Sequence, residues 1–139
     1  MRSIAFIILH CSATRCDSRY TFQDCKRDHV DNRRFKDIGY HYYIETDGSI
    51  HKGRPESMVG AHCLNRNKHS IGICYEGGLD KYGKPADTRT EAQCRSLVKL
   101  LKELKKDYPE AVIMGHREFD PTKDCPCFDA EEYRKIFSI

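Results

Sequence analysis

Three side chains in this sequence have the chemistry of metal ligands and stand where ligands are useful. His10 ends the apolar run Ile4-Ala5-Phe6-Ile7-Ile8-Leu9, and His116 follows a second apolar run, 111–114, through Gly115. Cys125 lies in the loop Lys123-Asp124-Cys125-Pro126-Cys127, two residues after a lysine. Two imidazoles and a thiolate with an open fourth position describe a catalytic zinc site, whereas a structural zinc is closed by four protein ligands. Such a metal activates water and polarises carbonyls, so the chemistry implied is hydrolysis. Taken singly, each histidine reads more readily as a hydrogen-bonded polar residue than as a ligand, and Cys125 as an ordinary loop cysteine. Spacing alone leaves the metal and these plainer readings both open.

Positioning these residues is the task of a sheet. The run 4–9 is continuously apolar, as in strands buried on both faces. In open α/β sheets, ligand sites gather beyond the C-terminal ends of strands, where His10 and His116 both fall. A first helix is expected to start at Thr21, where Thr21-Phe22-Gln23-Asp24 forms a capping box, and to fade before Asp37. Segment 39–46 reads as a strand, turned at Asp47-Gly48 into a return strand over 50–53. Segment 70–75 reads as another buried strand closed by Gly77-Gly78, followed by a polar loop over 80–89. The clearest helix, 90–107, opens with the capping box Thr90-Glu91-Ala92-Gln93 and puts Cys94, Leu97, Val98, Leu101 and Leu104 on one face. Pro109 follows its end. A last helix, capped by Asp129, is expected to bury Tyr133, Ile136 and Phe137. The fold class predicted is α/β: a single domain over 1–139 with a central mixed β-sheet flanked by helices.

Bulk properties exclude several functions. A chain of 139 residues is the size of one ordinary domain and buries roughly two-thirds of its unfolded surface without staples. A net charge of +3, with no block of like charges, gives no reason to expect a nucleic-acid partner. Lys99, Lys102, Lys105 and Lys106 read as a solvated helix face. Eight cysteines would suit a secreted disulfide framework, yet the run 4–9 is too short for a signal peptide and has no cleavage site after it. The cysteines are therefore expected to be reduced, and the chain to be cytoplasmic as synthesised. No apolar run approaches the roughly 20 residues of a membrane span, and no stable membrane association is expected.

Five short motifs occur in order: Leu9-His10-Cys11-Ser12-Ala13-Thr14; Asp37-Ile38-Gly39-Tyr40-His41-Tyr42; Gly60-Ala61-His62; Asn67 with Ser70-Ile71-Gly72-Ile73; and Lys123-Asp124-Cys125-Pro126 with Phe128-Asp129. Each is weak alone. In this order they are specific, and from Ile4 to the last helix the chain resembles the zinc-dependent N-acetylmuramoyl-L-alanine amidases of the phage lysozyme and peptidoglycan recognition protein family. The resemblance implies a peptidoglycan recognition protein-like fold and one catalytic Zn2+ on His10, His116 and Cys125. It makes Tyr40 and Lys123 the catalytic pair outside the metal. The Lys123 ammonium suits an oxyanion, while Tyr40, with an ordinary pKa near 10, is a poor base and is given a positioning role. His62 and Asn67 are implied to line the muramyl-peptide groove, with loop hydrogen bonding as the equal alternative.

Other residues near these motifs read as supports. His41 follows Tyr40 in a strand and must face the other way, and the same alternation turns Cys11 from the metal. Glu118 and Asp120 stand close enough to His116 to hold its imidazole, with plain solvent exposure as the equal alternative. Two features depart from the family pattern. Cys127 offers a competing thiolate where relatives often carry a small residue, and the chain has no tryptophan, Phe35 being the nearest aromatic before Asp37.

The function expected is hydrolysis of the bond between the lactyl group of N-acetylmuramic acid and L-alanine in peptidoglycan. The enzyme would be a monomeric phage or prophage endolysin reaching the wall after release. The rival readings are a non-catalytic muramyl-peptide binder of the same fold, a cytosolic amidase of anhydro-muropeptide recycling, and a redox or structural zinc protein.

Overall fold

In the computed structural model, which describes residues 2–137, strand β1 (Phe6–Cys11) has a neighbour on each side. It pairs in parallel with β5 (Ser70–Tyr75) and with β7 (Val112–Gly115). That position explains the unbroken apolar run, because both faces of β1 are covered and Ile7 and Ile8 are fully buried. The strand starts and ends two residues later than the apolar run, since pairing with β5 continues through Cys11 opposite Tyr75. His10 is thus held inside a paired strand.

The sheet has the order β4-β3-β5-β1-β7. Strand β3 (Tyr42–Ile44) runs parallel to β5, and β4 (Ile50–Lys52) returns antiparallel to β3. The mixed sheet expected from the sequence is present. Its hairpin is shorter than expected, because residues 39–41 bond irregularly: Ala61 N–H donates to the Gly39 carbonyl and His41 N–H to the Gly72 carbonyl. A small parallel pair joins β2 (Thr14–Arg15) to β6 (Gly78–Leu79).

Both predicted capping boxes form. Thr21 caps α1 (Phe22–Arg27) with Asp24 answering, and Thr90 caps α2 (Glu91–Asp107) with Gln93 answering. A π-helical turn over Asp28–Asn32 extends α1. The buried seam of α2 is Gln93, Leu97, Leu100, Leu101 and Leu104, so Leu100 replaces the expected Val98, which is 37% exposed, and Cys94 is only half-buried. The Gln93 amide sets this rotation by donating to the carbonyls of Ile44 and Glu76 inside the core. After β7 come α3 (His116–Phe119) and α4 (Glu131–Ile136). Asp129 accepts the Glu131 N–H, and Tyr133 is buried as expected, but Ile136 is 58% exposed because the short helix turns it outward.

Alternate residues of β1 and β5 feed two layers. Ile7, Leu9, Ile71 and Ile73 pack on the α2 leucines, Phe128 and Tyr133. Cys74 packs with Phe22, Cys25, Ile38 and Tyr43 on the α1 side. His10 is opposite Cys74 in the register and shares that second face.

Candidate active site

Leu9 pairs with Gly115, so His10 and His116 are the next residues on two adjacent strand ends. Their ring centroids lie 4.6 Å apart. Cys125 comes from the loop after α3 and is drawn to β1 by the Cys11 N–H, which donates to its Sγ at 3.1 Å. The His10 Nδ1 lies 3.9 Å from that sulfur, and the ligand atoms of His10, His116 and Cys125 are all within 4.8 Å of one another. Tetrahedral zinc with Zn–S near 2.3 Å and Zn–N near 2.1 Å sets neighbouring ligands roughly 3.5 Å apart. The donor set and its spacing fit that ion. Burial, with the neighbouring imidazoles of His62 and His116, holds the His10 pKa well below its ordinary value, so the ring is neutral as a ligand must be. Cys127 has a left-handed backbone (φ +69°), and its sulfur sits 3.9 Å from Cys11 Sγ, outside this cluster.

The three residues form the floor of a cleft of about 470 Å³ whose walls include Tyr40, His62, Asn67, Lys123, Arg33 and Phe35. The Tyr40 ring lies 5.2 Å from that of His10, and burial pushes its phenol well above the ordinary range, so it stays a protonated donor. His62 lies against His10, with its Nδ1 2.8 Å from His10 Nε2 and its Nε2 3.2 Å from Ser70 Oγ. Burial lowers its pKa to about 3, so it too is neutral. Asn67 accepts the N–H groups of His62 and Cys63 at 2.9 Å, so the loop-bonding role is realised in a residue that also lines the cleft. Among the described residues no carboxylate lines the cleft.

Over residues 1–128 the chain matches the N-acetylmuramoyl-L-alanine amidase family. The chain belongs to that family. An endolysin of Klebsiella phage KP32 is 38% identical over 127 residues, covering 91% of this chain and 83% of the endolysin. Among solved structures, the N-acetylmuramoyl-L-alanine amidase LysCS of Clostridium intestinale superposes with a TM-score of 0.83 at 28% identity, covering 99% of this chain and 86% of LysCS. Bumblebee PGRP-SA shares the fold, with a TM-score of 0.78 at 22% identity over 97% of this chain and 82% of its own. The family and the fold that the motifs implied are both found.

Within this amidase the supporting residues divide. His41 is structural: its Nδ1 accepts the Gly72 N–H at 3.0 Å and its Nε2 donates to the Met58 carbonyl at 2.8 Å. Glu118 and Asp120 do not hold His116. Glu118 accepts the Gly115 N–H and pairs with Arg134, each at 2.8 Å, and Asp120 accepts from Thr122. Sequence reasoning passed over His29, which lines the amidase cleft and accepts the Gly39 N–H at 2.8 Å. Its place at the end of α1, away from any strand, carried no signal. Ser70 was read as the first residue of a strand and as part of a family motif, with no role given to its side chain.

Proposed function

We propose that this amidase is an endolysin-like, zinc-dependent hydrolase of the bond between N-acetylmuramic acid and L-alanine in peptidoglycan. In this reading residues 1–139 form one catalytic domain that works as a monomer. The observation that carries it is the convergence of His10, His116 and Cys125 within 4.8 Å on the floor of a cleft free of carboxylates. Those three residues would hold zinc, which when bound supplies Lewis-acid activation of water and of the amide carbonyl. The remaining chemistry belongs to the chain. Lys123 offers a cation at the cleft wall for the developing oxyanion, and Tyr40, kept protonated by burial, offers a hydroxyl that orients the reacting groups by donation. Arg33 adds a second cation to the lining, which suits a stem peptide bearing carboxylates. Glycoside hydrolysis needs a pair of carboxyl groups flanking the scissile bond, and this lining has none.

No helix among the described residues is long and apolar enough to cross a membrane. We place the enzyme in the cytoplasm as made, acting on the wall after release. The test is mass spectrometry of fragments released from purified, intact sacculi. Stem peptides with a free L-alanine amino group and no new reducing sugar ends are expected. New reducing ends would contradict the reaction, and activity confined to soluble muropeptides would move the enzyme to wall recycling.

A further inference from the structure

We infer that His62 and Ser70 form a relay that fixes the tautomer of His10, making His62 a positioning residue for the metal site and not a contact for substrate. The inference rests on the reading that His10, His116 and Cys125 hold zinc. A neutral imidazole has one N–H and one lone pair. The His10 Nδ1 faces Cys125 Sγ at 3.9 Å, and its Nε2 lies 2.8 Å from His62 Nδ1. Ligation through Nδ1 needs the lone pair there, so the proton must sit on Nε2 and be donated to His62 Nδ1. That places the His62 proton on its own Nε2, where the partner is Ser70 Oγ at 3.2 Å. Every link therefore points one way, from His10 through His62 to Ser70. Running in reverse, the relay would protonate His10 at Nδ1 and remove the ligand lone pair.

The sequence builds a shelf for this relay. Ser70, Gly72 and Cys74 alternate onto one face of β5, and His10 is opposite Cys74 on that same face. A glycine inside a strand weakens it and often marks a close approach. Here a Cβ on Gly72 would lie 2.6 Å from Cγ and Cδ2 of His62 and 2.7 Å from its Nδ1. The imidazole lies on the bare backbone of Gly72, with Ser70 at one end and His10 at the other. Asn67 clamps the backbone at His62 and Cys63. His10 is 2% exposed and its Nε2 meets His62 Nδ1 at 2.8 Å, so a protein partner and not bulk solvent faces that nitrogen.

Two measurements test this. Two-bond 1H–15N correlation spectra of the metal-free protein should show His10 and His62 both protonated at Nε2; protonation of His10 at Nδ1 overturns the relay. Zinc dissociation constants, read by chelator competition, should rise about 10- to 100-fold in His62→Ala, the usual loss when the partner of a ligating histidine is removed. His62→Asn, which keeps an acceptor near the position of Nδ1, should recover most of that loss, and Gly72→Ala, which displaces the ring, should reproduce it. A His62→Ala protein that melts normally and binds zinc as tightly as the parent overturns the inference. If that variant fails to fold, the tautomers of the unaltered chain still decide. Failure of the unaltered chain to bind zinc would refute the metal reading instead, and the tautomers, read without metal, tell the two failures apart.

Discussion

The Tyr75 hydroxyl donates a hydrogen bond of 2.7 Å to the carbonyl oxygen of Pro126, joining β5 to the loop that carries Cys125. Tyr75 is opposite Cys11 in the sheet register, and the Cys11 N–H holds the Cys125 sulfur. The loop carrying Cys125 is therefore fastened at two consecutive residues to two paired strands. Burial raises the Tyr75 phenol far above its ordinary pKa, so it stays a donor at any pH the fold survives.

Replacing this tyrosine tests the fastening. Tyr75→Phe leaves the buried Pro126 carbonyl without its donor, a loss of about 1–3 kcal/mol. Denaturant unfolding of the metal-free protein should show that decrease, with zinc still bound but released more readily. An unchanged midpoint would mean that the hydroxyl does not hold the loop.

The ligand set makes a sharper prediction. Cys125→Ser and His10→Ala should each lose zinc, and Cys127→Ser should keep it, because the Cys127 sulfur packs against Cys11 Sγ at 3.9 Å and not on the cluster. Metal analysis of the purified variants decides. Zinc kept by Cys125→Ser and lost by Cys127→Ser would reverse the assignment.

Lys123 separates holding the metal from doing the chemistry. It lines the cleft but is not among the clustered ligands, so Lys123→Ala should bind zinc normally. Its turnover should fall about 100- to 1000-fold, the usual loss for one oxyanion donor. Tyr40→Phe should likewise keep zinc while losing rate. Wild-type turnover in Lys123→Ala would remove the lysine from the mechanism.

Acid stability follows from His29. Burial, aided by the Arg33 charge, lowers its pKa from 6.5 to about 4, while Asp28 opposes the shift. Between those values the unfolded chain binds a proton that the folded one does not, so stability rises with pH. The contribution is complete above about pH 6.5 and is lost as pH falls through about 4. Melting temperatures of the metal-free protein should drop across that window. His29→Asn keeps an acceptor for the Gly39 N–H without titrating, and its profile should be flatter. Identical slopes would contradict the assignment.

Much of this was legible in the sequence because it is written in local chemistry. The Thr21 and Thr90 capping boxes and the buried strand 70–75 follow from residue type and spacing. Spacing left His10, His116 and Cys125 open, and it was the ordered family motifs that singled out these three, which the structure brings together. What was not legible depends on long-range contacts. The seam of α2 moved from Val98 to Leu100 because the Gln93 amide reaches two distant carbonyls. Glu118 faces Arg134 instead of His116 because α4 packs back against β7. The partnership of His62 with His10 spans 52 residues and needs the absence of a side chain at Gly72. No local pattern announces such a contact.

The most direct test of the central claim is to strip the purified enzyme with phenanthroline, then titrate zinc back while counting free L-alanine amino groups released from peptidoglycan. Activity should vanish on chelation and return in step with zinc, reaching its plateau at one ion per chain, with Cys125→Ser unresponsive throughout. Release that is indifferent to the chelator, or restored by zinc in Cys125→Ser, would contradict the claim that His10, His116 and Cys125 carry the catalytic metal.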